Sequence, residues 1–164
     1  MTVTIRRAVE ADAPEVARLH REMVLALGEF CPEEVSRDEA VWAAVAAGIA
    51  PRVGEADRLL LVATPERGAP VGLLEACVNT PHTVFVQRKL LHVSAVFVEP
   101  GLRRRGIAAR LMAEALAWAR AQGCIAAQLN TLTGNPARRL YESLGFREVE
   151  ARMRLDLRAP DDQP

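Results

Sequence analysis

The chain has 164 residues, half of them hydrophobic, with 21 Lys plus Arg against 21 Asp plus Glu and a formal net charge of zero. That length suits one domain whose core needs no disulfide or metal staple. The charge balance argues against a nucleic-acid or anionic-membrane binder, which usually carries a basic excess. Cys31, Cys77 and Cys124 are odd in number and show no CxxC spacing. A disulfide framework or a cysteine zinc site is therefore not expected, and a reducing compartment fits best. The start of the chain lacks the pattern of a signal peptide, and no run approaches the roughly 18 apolar residues of a bilayer span. A soluble, cytoplasmic protein without a metal is expected.

Thr2 to Arg7 alternates like a short strand. Asp12 and Glu15 have the spacing of a capping box, and Val16, Leu19, Met23 and Leu27 follow at helical spacing until Gly28 and Pro32. Ser36 and Glu39 form a second such box ahead of Val41, Val45 and Ile49, and Gly48 and Pro51 end that helix. Arg58 to Thr64 is a β run, Pro65 to Pro70 a hairpin connection, and Val71 to Val78 the returning strand. Asn79 to His82 reads as a turn, and Thr83 to Val86 as an extension of a hairpin.

Leu91 to Val98 is a strong strand stopped by Pro100 and Gly101. Arg104 to Gln122 is a helix with Ile107, Leu111, Ala115 and Trp118 on one face, closed by Gly123. Cys124 to Leu132 is a strand, Asn135 to Leu144 a short helix, and Phe146 to Val149 and Arg152 to Leu157 are final strands. The order predicts an α/β fold: a single-domain mixed sheet of about six or seven strands with helices on both faces. The domain is placed at residues 1–158, with a polar, Pro-bounded tail at 159–164 that is expected to be disordered.

Chemistry concentrates where the strand ending Val96-Phe97-Val98 runs through Glu99-Pro100-Gly101-Leu102 into Arg103-Arg104-Arg105-Gly106-Ile107-Ala108-Ala109. Gly106 and Ala108 keep side chains small where a ligand can approach the backbone. The first N–H groups of a helix have no partner within it, and its dipole favours an anion there. Three consecutive arginines add positive charge. The residues fit a pyrophosphate cradle; the alternative is a tight strand-to-helix turn with solvated arginines. Neither GxxxxGK[ST] nor an N-terminal GxGxxG is present.

The run Arg103-Arg104-Arg105-Gly106-Ile107-Ala108 resembles the acetyl-CoA motif [QR]-x-x-G-x-[GA] of the GNAT superfamily of N-acetyltransferases. Asn135 to Phe146, containing Ala137, Leu140-Tyr141-Glu142, and Leu144-Gly145-Phe146, resembles that family's second hallmark. Ile5-Arg6-Arg7-Ala8, with Asp12 and a helix after it, is similar to the family's opening. The resemblance covers roughly residues 3–157.

It implies a V-shaped splay between the strands at 91–98 and 124–132, with acetyl-CoA as cosubstrate and no metal. The backbone of Val96, Phe97 and Val98 would pair with the pantetheine arm, and the N–H groups of Arg104 to Ala109 would hold the pyrophosphate. Asn135 would contact the cofactor; as a residue it also suits a helix N-cap. Tyr141, the only tyrosine, would protonate the leaving thiolate as a general acid, or else be a core aromatic. The Val96 N–H is the implied donor to the carbonyl.

The sequence departs from the family at the base. Many members carry a glutamate on the strand at 124–132, and none stands there. His92 is the first candidate for that role and Glu75 the second, against readings as a packed histidine and an ion-paired carboxylate; His20 and His82 are weaker. The implied activity is transfer of acetyl to a primary amine of a small molecule or peptide. A transferase using another acyl-CoA and a non-catalytic CoA-binding regulatory module stay open. The acceptor would be shaped by Gly28 to Ser36, with Glu29, Glu33 and Glu34, and by Asn79 to Lys89. No nucleic-acid or membrane partner is implied, and a homodimer is compatible with the family.

Overall fold

A computed structural model describes residues 2–28, 35–80, 88–153 and 155. Four strands, β1 (Val3–Arg7), β2 (Arg58–Pro65), β3 (Gly72–Asn79) and β4 (Leu90–Val98), pair in that order as an antiparallel sheet. A fifth, β5 (Ala126–Leu129), joins β4 in parallel. A parallel neighbour needs a crossover, and α3 (Ile107–Ala121) supplies it.

Helices cover both faces, which explains the unbroken apolar run of β2: a strand buried on both sides has no polar face to alternate with. Leu59, Leu61 and Ala63 point to one side, with Leu74, Ala76, Leu91, Val93 and the buried face of α3. Leu73, Val62, Ala95 and Phe97 point to the other, against Val16 and Leu19 of α1 (Ala13–Leu27). The helix α2 (Glu39–Ala47) lies against α1.

Local capping differs from the sequence expectation. Asp12 does not cap α1; its carboxylate accepts from the Val9 N–H at 2.8 Å and takes both ends of the Arg6 guanidinium at 2.6 and 2.8 Å. A carboxylate closing a short 3-10 turn over Glu10–Asp12 and held by an arginine cannot also reach forward into the helix. The second helix is capped by Asp38, which accepts from the Ala40 N–H at 2.8 Å, while Ser36 accepts from Asp38 N–H one step earlier. The third helix begins at Ile107 rather than Arg104, because Gly106 is its left-handed N-cap.

Among the described residues the sheet has five strands rather than six or seven. Phe146 closes the last helix, its N–H donating to the Tyr141 carbonyl at 3.0 Å, and starts no strand. Beyond it the alternating residues Val149, Met153 and Leu155 are 82%, 94% and 80% exposed. A period-2 pattern specifies a strand only where one face is covered, and nothing in the described chain covers this one. The hairpin extension at 83–86 and the tail at 159–164 lie outside the described residues, as does Cys31. Cys77 and Cys124 are free thiols, both pushed up in pKa by burial. Among the described residues no helix is long and apolar enough to cross a membrane.

Leu111 is fully buried between α3 and the sheet, whereas Val149 is solvated. Leu111→Ala is expected to lower unfolding stability by about 2–5 kcal/mol, and Val149→Ala to change it by less than about 0.5 kcal/mol. Urea denaturation of both variants checks this.

Candidate functional site

The site begins with one extra residue in β4. Glu75 faces Ala95 across the β3–β4 ladder, but Ala76 faces Val93, so Ser94 is unmatched: a β-bulge. Its hydroxyl donates to the Glu75 carbonyl at 3.2 Å. Pairing with β5 ends at the same level, Val93 opposite Leu129.

Beyond the bulge the backbone alternates in a way that can be traced. Glu99 N–H donates to the Val71 carbonyl at 3.0 Å, continuing the register in which Phe97 faces Leu73 and Val98 faces Gly72. Polar groups of an antiparallel strand alternate sides. Ala95 and Phe97 therefore turn toward β3, and Val96 and Val98 turn toward the side that β5 has left. Of the three residues expected to pair with a pantetheine arm, Val96 and Val98 have outward backbone groups; Phe97 spends its own on β3. The Val98 carbonyl accepts from Arg103 Nε at 3.0 Å, and the Arg103 guanidinium lies over the Phe97 ring at 5.5 Å.

From Val98 the chain passes through a 3-10 turn at Pro100–Leu102 into the arginine run. Arg104 has φ +65° and Gly106 φ +76°, two left-handed residues bracketing Arg105. Such a backbone gathers successive N–H groups into a concave nest that suits an anion, and the start of α3 adds its dipole. A side chain on Gly106 would point into space with no protein atom within 4 Å. Ile107 is buried beneath, Ala108 and Ala109 are half-buried, and Arg104 and Arg105 are exposed. The nest is tied to α1 by Arg18, which reaches Glu99 at 2.9 Å and the Pro70 carbonyl at 3.2 Å while holding Glu15 and Glu22. Those three carboxylates hold the Arg18 guanidinium firmly protonated.

On the other side of the opening, β5 leads into α4 (Arg138–Ser143). The Asn135 side chain accepts from the Ala137 N–H at 2.9 Å and shapes the turn into that helix. Leu144 and Phe146 pack into the same cluster as Val96 and Leu129. Tyr141 stands edge-on to Phe146, with ring centroids 6.1 Å apart. Burial pushes its phenol up in pKa, so the hydroxyl keeps its proton. No protein group among the described residues takes that hydroxyl in a hydrogen bond.

His92 is half-buried, opposite Cys77 on β3 and Gln128 on β5. The Arg58–Cys77–His92–Gln128 row thus crosses the sheet on the face that α1 covers. Glu75 sits on that face too, but its carboxylate is engaged by Arg52 at 2.7 Å, with Arg58 at 3.8 Å. This is the ion-paired arrangement weighed against its role as a base. His82, Glu29, Glu33 and Glu34 lie outside the described residues.

Two neighbours of Glu75 stand out: His20, a weaker base candidate in the sequence, and Arg52, which the sequence did not single out. His20 falls on the sheet-facing stripe of α1, since Val16, Leu19, His20 and Met23 share one helical face; that spacing was the available signal. Arg52 follows a helix-ending proline, and nothing in its local sequence marks it.

The model of the acetyltransferase (GNAT) family matches residues 18–146. Solved structures share the fold at low identity. The BH1408 protein from Bacillus halodurans, a tetramutant, aligns with TM-score 0.81 and 24% identity over 94% of this chain and 99% of that one. A putative acetyl transferase from Pyrococcus furiosus gives 0.76 and 20% over 95% and 100%. AAC(6')-Iy, in complex with the bisubstrate analogue CoA-S-monomethyl-acetylneamine, gives 0.73 and 18% over 97% and 100%. No curated protein matches in sequence.

His20 yields a pH dependence. Burial lowers its pKa; the Glu75 carboxylate opposes that and the Arg52 cation adds to it. A histidine whose folded pKa is depressed is protonated first in the unfolded chain, so stability falls as pH drops from the unfolded value of about 6.5 toward the folded one. His20→Gln, which does not titrate, should show a flatter melting temperature across that range. Equal slopes in thermal melts of the two proteins would contradict this.

Proposed function

The chain belongs to the GNAT acetyltransferase family, and on that premise we propose that it moves the acetyl group of acetyl-CoA directly to a primary amine of a small molecule or peptide. The observation that carries this reading is the pair Val96 and Val98, whose backbone groups face the opening left by β5, one short turn from the anion nest at Arg104 to Gly106. A thioester with an amide-bearing arm and a pyrophosphate carries both kinds of complementary group in order along one chain. AAC(6')-Iy, which shares the fold, was solved in complex with the bisubstrate analogue CoA-S-monomethyl-acetylneamine.

In this reading the pantetheine amides take the place of the missing strand beside Val96 and Val98. The N–H groups of Arg104 to Ala109 hold the pyrophosphate, with Arg104 and Arg105 adding attraction from solvent. Asn135, by shaping the turn before α4, sets the wall of the opening. The acceptor nitrogen attacks the thioester carbonyl, forming the C–N bond, and the Val96 N–H stabilises the oxyanion. His92, directly or through water, takes the proton that the nitrogen sheds. The C–S bond then breaks, and the Tyr141 hydroxyl, kept protonated by its burial, gives its proton to the thiolate.

Gly106→Glu places bulk and negative charge in the open space beside the nest and should abolish acetyl-CoA binding in a protein that still folds. Calorimetry on the folded variant checks this; unchanged affinity would move the cradle elsewhere.

Turnover is tested by thiol release from acetyl-CoA across an amine panel. Tyr141→Phe keeps the ring and its packing on Phe146. It should lose about 10²- to 10⁴-fold in rate with little change in melting temperature. His92→Ala should lose rate at unchanged acetyl-CoA affinity if His92 takes the amine's proton. Binding without turnover on any amine would favour a CoA-binding regulatory module.

A further inference from the structure

A small cavity lies under α1, where the 3-10 turn Ala50–Arg52 meets the sheet. Val16, His20, Ile49, Arg52, Leu60 and Glu75 are among its lining residues, and its volume is about 10 Å³. That is the lower bound of what a single water needs, and too little for anything larger.

The polar groups around it are unevenly satisfied. His20 Nδ1 is buried with no hydrogen-bond partner among the described residues. A buried imidazole nitrogen without a partner is costly, and burial of this kind is normally relieved by protein or water. Glu75 Oε1 accepts from Arg52 Nη1 at 2.7 Å, and the second carboxylate oxygen has no protein partner among the described residues. A divalent cation does not suit the site, because one carboxylate stands against two guanidiniums, Arg52 and Arg58. An anion does not suit it either, since Glu75 lines the same space.

We propose that this cavity holds one water molecule, shared by His20 Nδ1 and the Glu75 carboxylate. It closes a chain Arg52–Glu75–water–His20 that ties the 3-10 turn to α1 across β3. The water satisfies the imidazole nitrogen whichever way the ring carries its proton, because water both donates and accepts. His20 is in this way a positioning residue: through Glu75, which stands two residues along β3 from Cys77, the cross-strand partner of His92, it acts on the sheet face that carries the proposed base and so forms the acceptor face. That consequence for the acceptor face rests on the acetyltransferase reading; the water itself does not.

The test uses the full chain and two readouts that need no turnover. A high-resolution crystal structure should show one solvent peak in the cavity, within hydrogen-bonding distance of both His20 Nδ1 and a Glu75 oxygen. In ¹⁵N-histidine NMR, Glu75→Gln should move the His20 titration midpoint to lower pH, because the anion that favours the charged ring is gone. An empty cavity, a peak bonded to only one of the two residues, or a His20 midpoint indifferent to Glu75→Gln would each overturn the proposal. Acceptor kinetics separate the two claims. If the water is present, His20→Phe should raise the acceptor KM at unchanged acetyl-CoA affinity; an unmoved KM would leave the water standing and remove its role on the acceptor face.

Discussion

One extra residue, Ser94, governs the site. It shifts the β3–β4 register by one position at the level where β5 stops pairing. Leu91 and Val93 turn their backbone groups to β5, whereas Val96 and Val98 turn theirs to a side where no strand stands among the described residues. The Val98 carbonyl is taken by Arg103, but in a sheet interior unpaired groups such as the Val96 and Val98 N–H are costly. At the mouth of an opening they are a template for an added chain, in the manner of strand addition to an exposed edge. The nest that follows depends on the same feature, since the strand must leave the sheet before it can turn into α3.

The surrounding structure holds this arrangement in place. Arg104 occupies the left-handed region without being a glycine, a conformation that costs of order 1–3 kcal/mol and persists when neighbouring structure demands it. That demand comes from two sides. Arg103 clamps back on the Val98 carbonyl and the Phe97 ring, and Arg18 pins Glu99 and the Pro70 carbonyl to α1. The arginine run is therefore divided in its work: Arg103 shapes the turn, and Arg104 and Arg105 remain in solvent.

Much of this was legible in the residues. The long, strongly periodic segments α1 and α3 and the apolar runs of β2, β3 and β4 carried their own signals, and the small residues after the arginines marked the turn. The caps were not legible, because Asp12 has an arginine partner six residues back that spacing alone does not reveal. The bulge was hidden too: Ser94 looks like any residue in an alternating strand until its partner strand is known. The alternation after Gly145 promised strands, yet alternation states only that one face wants cover. Glu75 was visible as a carboxylate on the right strand, and its clamp by Arg52 was not, since that contact joins residues with 22 others between them in the chain.

The central claim is that a chain of amides completes the sheet beside Val96 and Val98. Amide hydrogen exchange, resolved by residue in the free protein and with acetyl-CoA, tests it most directly. Phe97, bonded to β3, should exchange slowly in both states. Val96 and Val98 should exchange fast in the free protein and become protected when acetyl-CoA is added. If their exchange is unchanged under saturating acetyl-CoA, or if protection appears only elsewhere in the chain, the opening between β4 and β5 is not where the cosubstrate lies.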